Sequence, residues 1–258
     1  MMYPKICNLK PVQLLSLISL VSTLVQEMEE TATELDGVSP AEIVFREKLF
    51  ASDYSEIFLV TVRGQQCVMK VHAGRGPRRY YEPTDRELDI HVLESTAYRR
   101  LKAWGLCDKG IIPRFLGTMD KFDPRACQPH LNMFLEDEYP PSALFLEYIP
   151  NLEMLHLHNY TEARMDNFIE GLREIHKAGV LHHDVKPRNM LIVKDDPNPD
   201  RVVWIDFDRA QTYDIHLMTE RQKTFIAEEQ EIVESYKVLM EEDVRVGKLD
   251  QMYLVYCT

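Results

Sequence analysis

Between Thr161 and Asp206 the chain changes its hydrophobic period twice, and few folds accommodate that. In "TEARMDNFIEGLREIHKAGV", Met165, Phe168, Ile169, Leu172 and Ile175 recur at the spacing of one helix face. Gly179 is placed to end that helix. "VLHHDVKPRNMLIV", Val180 to Val193, follows at once and crowds two histidines, an aspartate, a lysine, an arginine and an asparagine between two apolar runs. "NMLIV" and "RVVWID" then read as two short apolar strands, with "KDDPNPD" as the turn between them. A buried helix must therefore hand over to a small hairpin, with a polar cluster held between them. A solvated loop carries such groups for solubility; a site loop gives each of them a task.

The earlier part of the chain has another character. "IVFREKLF", "SEIFLVTV" and "CVMKVH" read as strands rich in β-branched and aromatic residues, with "RGQQ" as a turn between the last two. "AGRGPRRYYEPTDR" reads as an exposed basic loop. From Arg86 the period becomes helical, with Leu88, Val92, Ala97 and Leu101 on one face and an end near Gly105. "IIPRFLGTMD" and "SALFLEYIP" add two strands, the second stopped by Pro150. "EETATELDGVSP" reads as a linker, and after Ala210 a single helix is expected around "AEEQEIVESYKVLMEED". The pattern is α+β, with a peripheral leader over 1–40, a sheet-rich part over 41–150 and a mainly helical part over 151–258. A chain of 258 residues, 45% of them hydrophobic, can form one large domain or two small lobes around a shared cleft.

Charge and cysteine usage exclude some classes. A net charge of −12 argues against nucleic acid as partner, because a basic face is needed to replace counterions around phosphates. The five cysteines are scattered with no C-x-x-C pair, which fits a reducing, intracellular and cytoplasmic setting better than a disulfide framework or a zinc site. The apolar, serine-rich stretch Pro11 to Val25 is too short to span a bilayer comfortably. No small-x-small cleavage site follows it, so a packed N-terminal helix or a leader is expected rather than a signal peptide. His72, His91, His156 and His158 show no metal-ligand pattern and are expected in core or surface roles.

Asp184, Lys186 and Asn189 fall within six residues, and Asp206 ends the next strand. Across the hairpin, Asn189 and Asp206 offer two oxygen ligands of the kind that hold Mg²⁺ together with phosphate oxygens. Asp184 can accept a proton from a hydroxyl, and Lys186 can neutralise charge on a transferring phosphoryl group. These are the parts of phosphoryl transfer, in which positioning and charge stabilisation do most of the work.

The set resembles the protein-kinase family. "HHDVKPRN" is similar to the catalytic loop H-R-D-L-K-x-x-N, with His182, Asp184, Lys186 and Asn189 in matching places. "DFD", Asp206 to Asp208, resembles D-F-G, and "CVMK" resembles V-A-I-K. The resemblance implies a two-lobed kinase-like fold with a shortened C-terminal lobe, and ATP and Mg²⁺ as cofactors. Lys70 becomes the phosphate-binding lysine and Glu94 its ion-pair partner, with Glu87 competing for that role. "LFLEYIP" resembles the adenine-reading hinge, with Leu146 as gatekeeper and Glu147 to Ile149 in the hinge. The match covers roughly residues 43 to 210 in the family's order.

Three departures qualify what it implies. The glycine-rich loop has no glycine; "LFASDYSEIFLV" stands there, and Ser52 and Ser55 are expected to lend hydroxyls in place of open backbone. Asp208 replaces the glycine of D-F-G, a position where unusual backbone angles are expected. No A-P-E motif follows, and His183 stands where the family has arginine, so control by activation-loop phosphate is not expected. The expected activity is transfer of the γ-phosphoryl group of Mg-ATP to a Ser/Thr hydroxyl of a protein. Its rivals are a pseudokinase acting as a scaffold and a sugar or lipid kinase of the same fold. The acidic stretch after Ala210 suggests a basic or neutral acceptor.

Overall fold

The structure is a computed structural model that describes residues 34–194 and 197–257. The expected helix over Pro11 to Val25 lies outside those residues, as does part of the "KDDPNPD" turn.

A five-stranded antiparallel sheet is built from β1 (Ile43–Ala51), β2 (Ser55–Val62), β3 (Gln65–His72), β4 (Phe115–Met119) and β5 (Ser142–Glu147). Its strand order is β1-β2-β3-β5-β4. The expected strands are present with small shifts at their ends. The β2–β3 turn falls on Arg63 and Gly64, both left-handed at φ 49° and 80°, the pair of positive φ values that a two-residue hairpin turn requires. Register along β3 pairs Val68 with Leu146 and Lys70 with Leu144. Side chains alternate along a strand, so His72 shares a face with Lys70.

Helix α1 (Ile90–Ala103) starts later than the periodicity suggested. Asp89 caps it by accepting the amides of His91 and Val92, and Glu87 is used just before, accepting the amides of Leu88 and Asp89. The buried face is Leu93, Glu94, Ala97, Tyr98 and Leu101, whereas Val92 is 41% exposed. Ala97 and Leu101 are buried as expected, whereas Leu88 precedes the helix and Leu93 takes the inward place expected of Val92.

The segment expected as a linker is, from residue 34 onward, part of the fold. The Leu35 amide donates to the Leu116 carbonyl at 2.7 Å, and Asp36 Oδ1 accepts the Thr118 amide at 3.1 Å. Leu35 and Val38 are buried in the same core as Phe58, Met69, Leu116 and Phe145. Gly117, at φ 148°, lets this backbone approach: a Cβ there would lie 2.6 Å from the Leu35 backbone. Two apolar residues among polar ones make no periodic signal, which is why composition alone read as linker.

The remainder is mainly helical. Helix α2 (Glu162–Lys177) is capped by the Thr161 hydroxyl and buries Met165, Phe168, Ile169, Leu172 and Ile175, the face read from the sequence. β6 (Leu152–Met154), β8 (Met190–Val193) and β9 (Val202–Trp204) form a small antiparallel sheet in the order β6-β8-β9. β7 (Val180–Leu181) pairs with β10 (Gln211–Thr212). β6, β7 and β10 were not expected, since two or three residues carry no usable period. Helix α3 (Glu220–Val246) is longer than expected: Thr219 and Gln222 form a capping box at its start, and Gly247 ends it at φ 73°. Val233, Tyr236 and Met240 of α3 join Phe168, Leu172 and Ile175 of α2 in one core, which reaches α1 and β5. A short helix α4 (Tyr253–Cys257) follows. The architecture is α+β with antiparallel sheets. No helix among the described residues is long and apolar enough to cross a membrane.

Candidate functional site

Lys70 on β3 is 5% exposed and has two carboxylate partners. Its Nζ donates to Glu94 Oε1 at 3.0 Å, lies 2.8 Å from Glu94 Oε2, and donates to Asp206 Oδ1 at 2.5 Å. Glu94, not Glu87, therefore meets the lysine. Glu94 is fully buried; burial raises its carboxyl pKa, but Lys70 and His72 outweigh this and hold it at about 2. Burial likewise works against the charge on Lys70, and Glu94, Asp206 and Asp208 more than offset it, so its pKa is raised. His72, two residues along the strand, sits with Nε2 2.8 Å from Glu94 Oε2, and burial lowers its pKa despite that carboxylate.

Asp206 follows β9 and is left-handed at φ 66°, a conformation that Asp tolerates better than most residues. Asp208 does not take a positive φ, so the unusual backbone expected at 208 falls two residues earlier. Asp208 is half-buried, and its carboxyl is pushed up to about 6, first by burial and then by Asp206 and Glu94, against Lys70. Asn189 is tied to this hairpin through its carbonyl, which accepts the Ile205 amide at 3.2 Å.

The loop from Leu181 to Asn189 is held from below and from within. Glu229 of α3, 6% exposed, accepts the His182 amide through Oε2 at 2.9 Å and the His183 amide through Oε1 at 2.6 Å. His176 of α2 also meets Glu229 Oε2, at 2.8 Å. Burial raises the Glu229 pKa, and these donors reverse the shift. His183 is left-handed at φ 69°, and the Glu229 clamp offsets the cost of that backbone. His182 is fully buried; its Nε2 donates to the Ile205 carbonyl at 3.0 Å, and its ring lies 4.6 Å from that of Phe207. Asp184 is likewise occupied. Arg188 Nη2 donates to both of its oxygens, at 3.0 and 2.8 Å, while Asn189 Nδ2 donates to the Asp184 carbonyl at 2.8 Å and to Oδ2 at 3.1 Å. Asn189 Oδ1 is left as the oxygen a metal could take. Lys186 is half-buried, and its amide donates to the Asp184 carbonyl.

A cavity of about 430 Å³ is lined by Lys70, Glu94, Asn189 and Asp206, whereas Asp184 and Lys186 do not line it. Leu49, Ile57, Val68, Leu146 and Ile205 give it apolar walls; Lys70, Glu94, Asp206, Asn189 and Arg188 give it a polar part. Glu147 and Ile149, expected as hinge residues, line it as well. Ser52 and Ser55 do not. Ser52 Oγ accepts the amides of Tyr54 and Ser55 and meets Ser55 Oγ at 3.1 Å, so both hydroxyls are used to close the β1–β2 turn. A serine beside free turn amides bonds locally before it reaches outward.

Sequence reasoning missed four residues of this region. His72 was legible as the next residue on the Lys70 face of the strand. Tyr98 stands one helical turn beyond Glu94 and lines the cavity. Arg188 lay inside the quoted loop without an assigned role. Glu229 left no local signal, since it is brought in by a helix 46 residues further along the chain than His183.

No protein-family model matches the chain. Myosin light chain kinase family member 4 of Homo sapiens is 28% identical to it over 143 residues, 48% of this chain and 35% of that protein. The chain thus spans about a third of the length of the curated relative it matches. The relationship is distant and partial, and it is to a kinase.

Proposed function

We propose that the chain is a phosphotransferase of protein-kinase type, moving the γ-phosphoryl group of Mg-ATP to a hydroxyl, with a protein Ser/Thr as first candidate acceptor. In this reading 41–150 and 151–258 are two lobes, and the cavity is the cleft between them. The observation that carries it is the junction of Lys70 with both Glu94 and Asp206 at the polar part of a largely apolar cavity. A buried charge network of this kind is weak as a stabiliser, so a ligand is the better reason for its presence.

The residues present fit the cofactors. The apolar walls and residues 147–149 suit a purine, Lys70 suits phosphate oxygens, and Asp206 with Asn189 Oδ1 suits Mg²⁺. The metal, when bound, neutralises phosphate charge. Glu94 orients Lys70, Asp184 orients the acceptor hydroxyl and receives its proton, and Lys186 adds a cation at the transferring group. The hydroxyls of Ser52 and Ser55 are used within their own turn, so in this reading the grip on phosphate rests on Lys70 and the metal.

The acceptor preference argued from the acidic stretch is weakened by its pairing. Glu234 meets Arg173 and Glu229 meets His176, so part of that negative charge is engaged between α2 and α3. Arg188 on Asp184 favours a second reading, a nucleotide-binding scaffold without turnover. The buried free thiols of Cys67, Cys107 and Cys127 support an intracellular setting for either.

The test is Mg-ATP binding followed by transfer from labelled ATP to protein, sugar and lipid acceptors. Binding with transfer to protein is expected. Binding without transfer to any acceptor favours the scaffold; transfer to a sugar or lipid alone moves the acceptor class. No Mg²⁺-dependent binding sinks the reading.

A further inference from the structure

Tyr98 is 0% exposed and lines the cavity with Lys70, Glu94 and Asp206; its hydroxyl oxygen lies beside the Asp206 amide and, among the described residues, its proton has no acceptor. Its ring is fixed, edge-on to Phe207 at 5.1 Å and stacked on Phe115 at 6.0 Å. A buried hydroxyl proton without an acceptor costs about 1–3 kcal/mol, and phenylalanine would fill the same volume without that cost. The phenol is a neutral donor: burial first, then the charges of Glu94 and Asp206, raise its pKa well above the usual value.

The carboxylates near it are engaged by one cation. Lys70 holds Glu94 and Asp206 together in this structure. A lysine that turns toward phosphate oxygens gives up part of that contact, and Asp206 then needs another donor to keep one oxygen fixed while the other faces a metal. We propose that Tyr98 is a positioning residue of this site, whose hydroxyl donates to the Asp206 carboxylate when Lys70 engages the phosphates of a nucleotide. The proposal rests on the nucleotide reading above. A neutral donor suits the task, because it fixes the carboxylate without competing with the metal for charge.

The test compares the full chain with its Tyr98→Phe variant, using Mg²⁺ with a non-hydrolysable ATP analogue and, separately, adenosine. The variant is expected to melt at the same temperature or higher, to bind adenosine as the wild type does, and to bind the Mg-nucleotide about five- to tenfold more weakly, the scale of one hydrogen bond. A tyrosine absorption shift on adding Mg-nucleotide, absent with adenosine and absent in the variant, is expected in addition. Equal Mg-nucleotide affinity in the two proteins overturns the role of Tyr98 and leaves the nucleotide reading standing. Equal losses for adenosine and Mg-nucleotide overturn it too, by pointing to packing. A variant that does not fold points to packing as well unless the wild type shows the Mg-nucleotide absorption shift, which then carries the proposal. Failure of the wild type to bind Mg-nucleotide overturns both.

Discussion

One nitrogen of Arg188 meets both carboxylate oxygens of Asp184, at 2.8 and 3.0 Å. Arg188 is half-exposed and lines the cavity, while Asp184 is buried. The pair fixes the carboxylate plane together with Asn189 and places a cation beside the candidate proton acceptor. Arg188→Ala is expected to cost about 1 kcal/mol or less in stability, as exposed pairs do. Phosphotransfer is expected to fall about tenfold, the lower scale for loss of a supporting donor. Arg188→Lys should recover only part of this, since a point charge cannot hold a carboxylate plane as a guanidinium does. Wild-type turnover in Arg188→Ala would show that Asn189 alone positions Asp184.

Glu229 supports a different prediction, about the fold of the loop rather than its chemistry. Glu229→Ala leaves the buried amide of His182, the part-buried amide of His183 and the His176 ring without their acceptor, a loss of about 3 kcal/mol. For a chain of this size that lowers the thermal midpoint by roughly 6–12 °C. A midpoint within a degree or two of wild type would mean that water or a neighbouring group replaces the carboxylate.

The contrast between these residues shows what a sequence reveals. Lys70, Glu94, Asp184, Asn189 and Asp206 could be picked out because each lies on an element with a readable period or inside a short motif; four of them line one cavity, and Asp184 does not line it but is bonded to Asn189 and Arg188, which do. Glu229 could not, because two of its three partners are backbone amides, which have no side-chain signature. The β1–β2 turn misled for a related reason: Ser52 and Ser55 have the right chemistry for phosphate, but local amides reach their hydroxyls first. Leu35 and Val38 were hidden by polar neighbours, and their burial depends on Gly117 letting the backbone approach. Local pattern reported the elements; the choice among competing partners required the fold.

The Lys70–Glu94 pair predicts how stability depends on pH. Glu94 is held at about 2 against an ordinary 4.5, so its contribution is fully present above about pH 4.5 and is lost as pH falls toward 2. Lys70→Met reverses the sign. Glu94 is then buried with His72 as its remaining partner, its carboxyl rises above its unfolded value, and stability declines as pH rises through that range. The variant is expected to lose about 3 kcal/mol at neutral pH. Parallel pH–stability curves for the two proteins, measured by chemical denaturation, would rule out this account of the pair.

Asp206 and Asp184 separate binding from chemistry. Asp206→Asn keeps size and polarity but loses one charged oxygen from a site with few, so Mg²⁺-dependent nucleotide affinity is expected to drop at least tenfold. Without the metal Asp206 has no ligand to hold, and Glu94 still orients Lys70, so metal-free nucleotide binding should change far less and serves as the internal control. Asp184→Asn keeps its contact with Asn189 only in part and cannot take a proton. Its Mg-nucleotide affinity is expected to stay within about twofold of wild type while transfer falls about a hundredfold or more, the scale of general-base loss. If Asp184→Asn transfers phosphate at the wild-type rate, the proton goes elsewhere and Asp184 is a structural member of the loop. If Asp206→Asn retains full Mg²⁺ dependence, the metal is held by other oxygens, and the short contact between Lys70 and Asp206 is then a structural ion pair and not a site waiting for a cation.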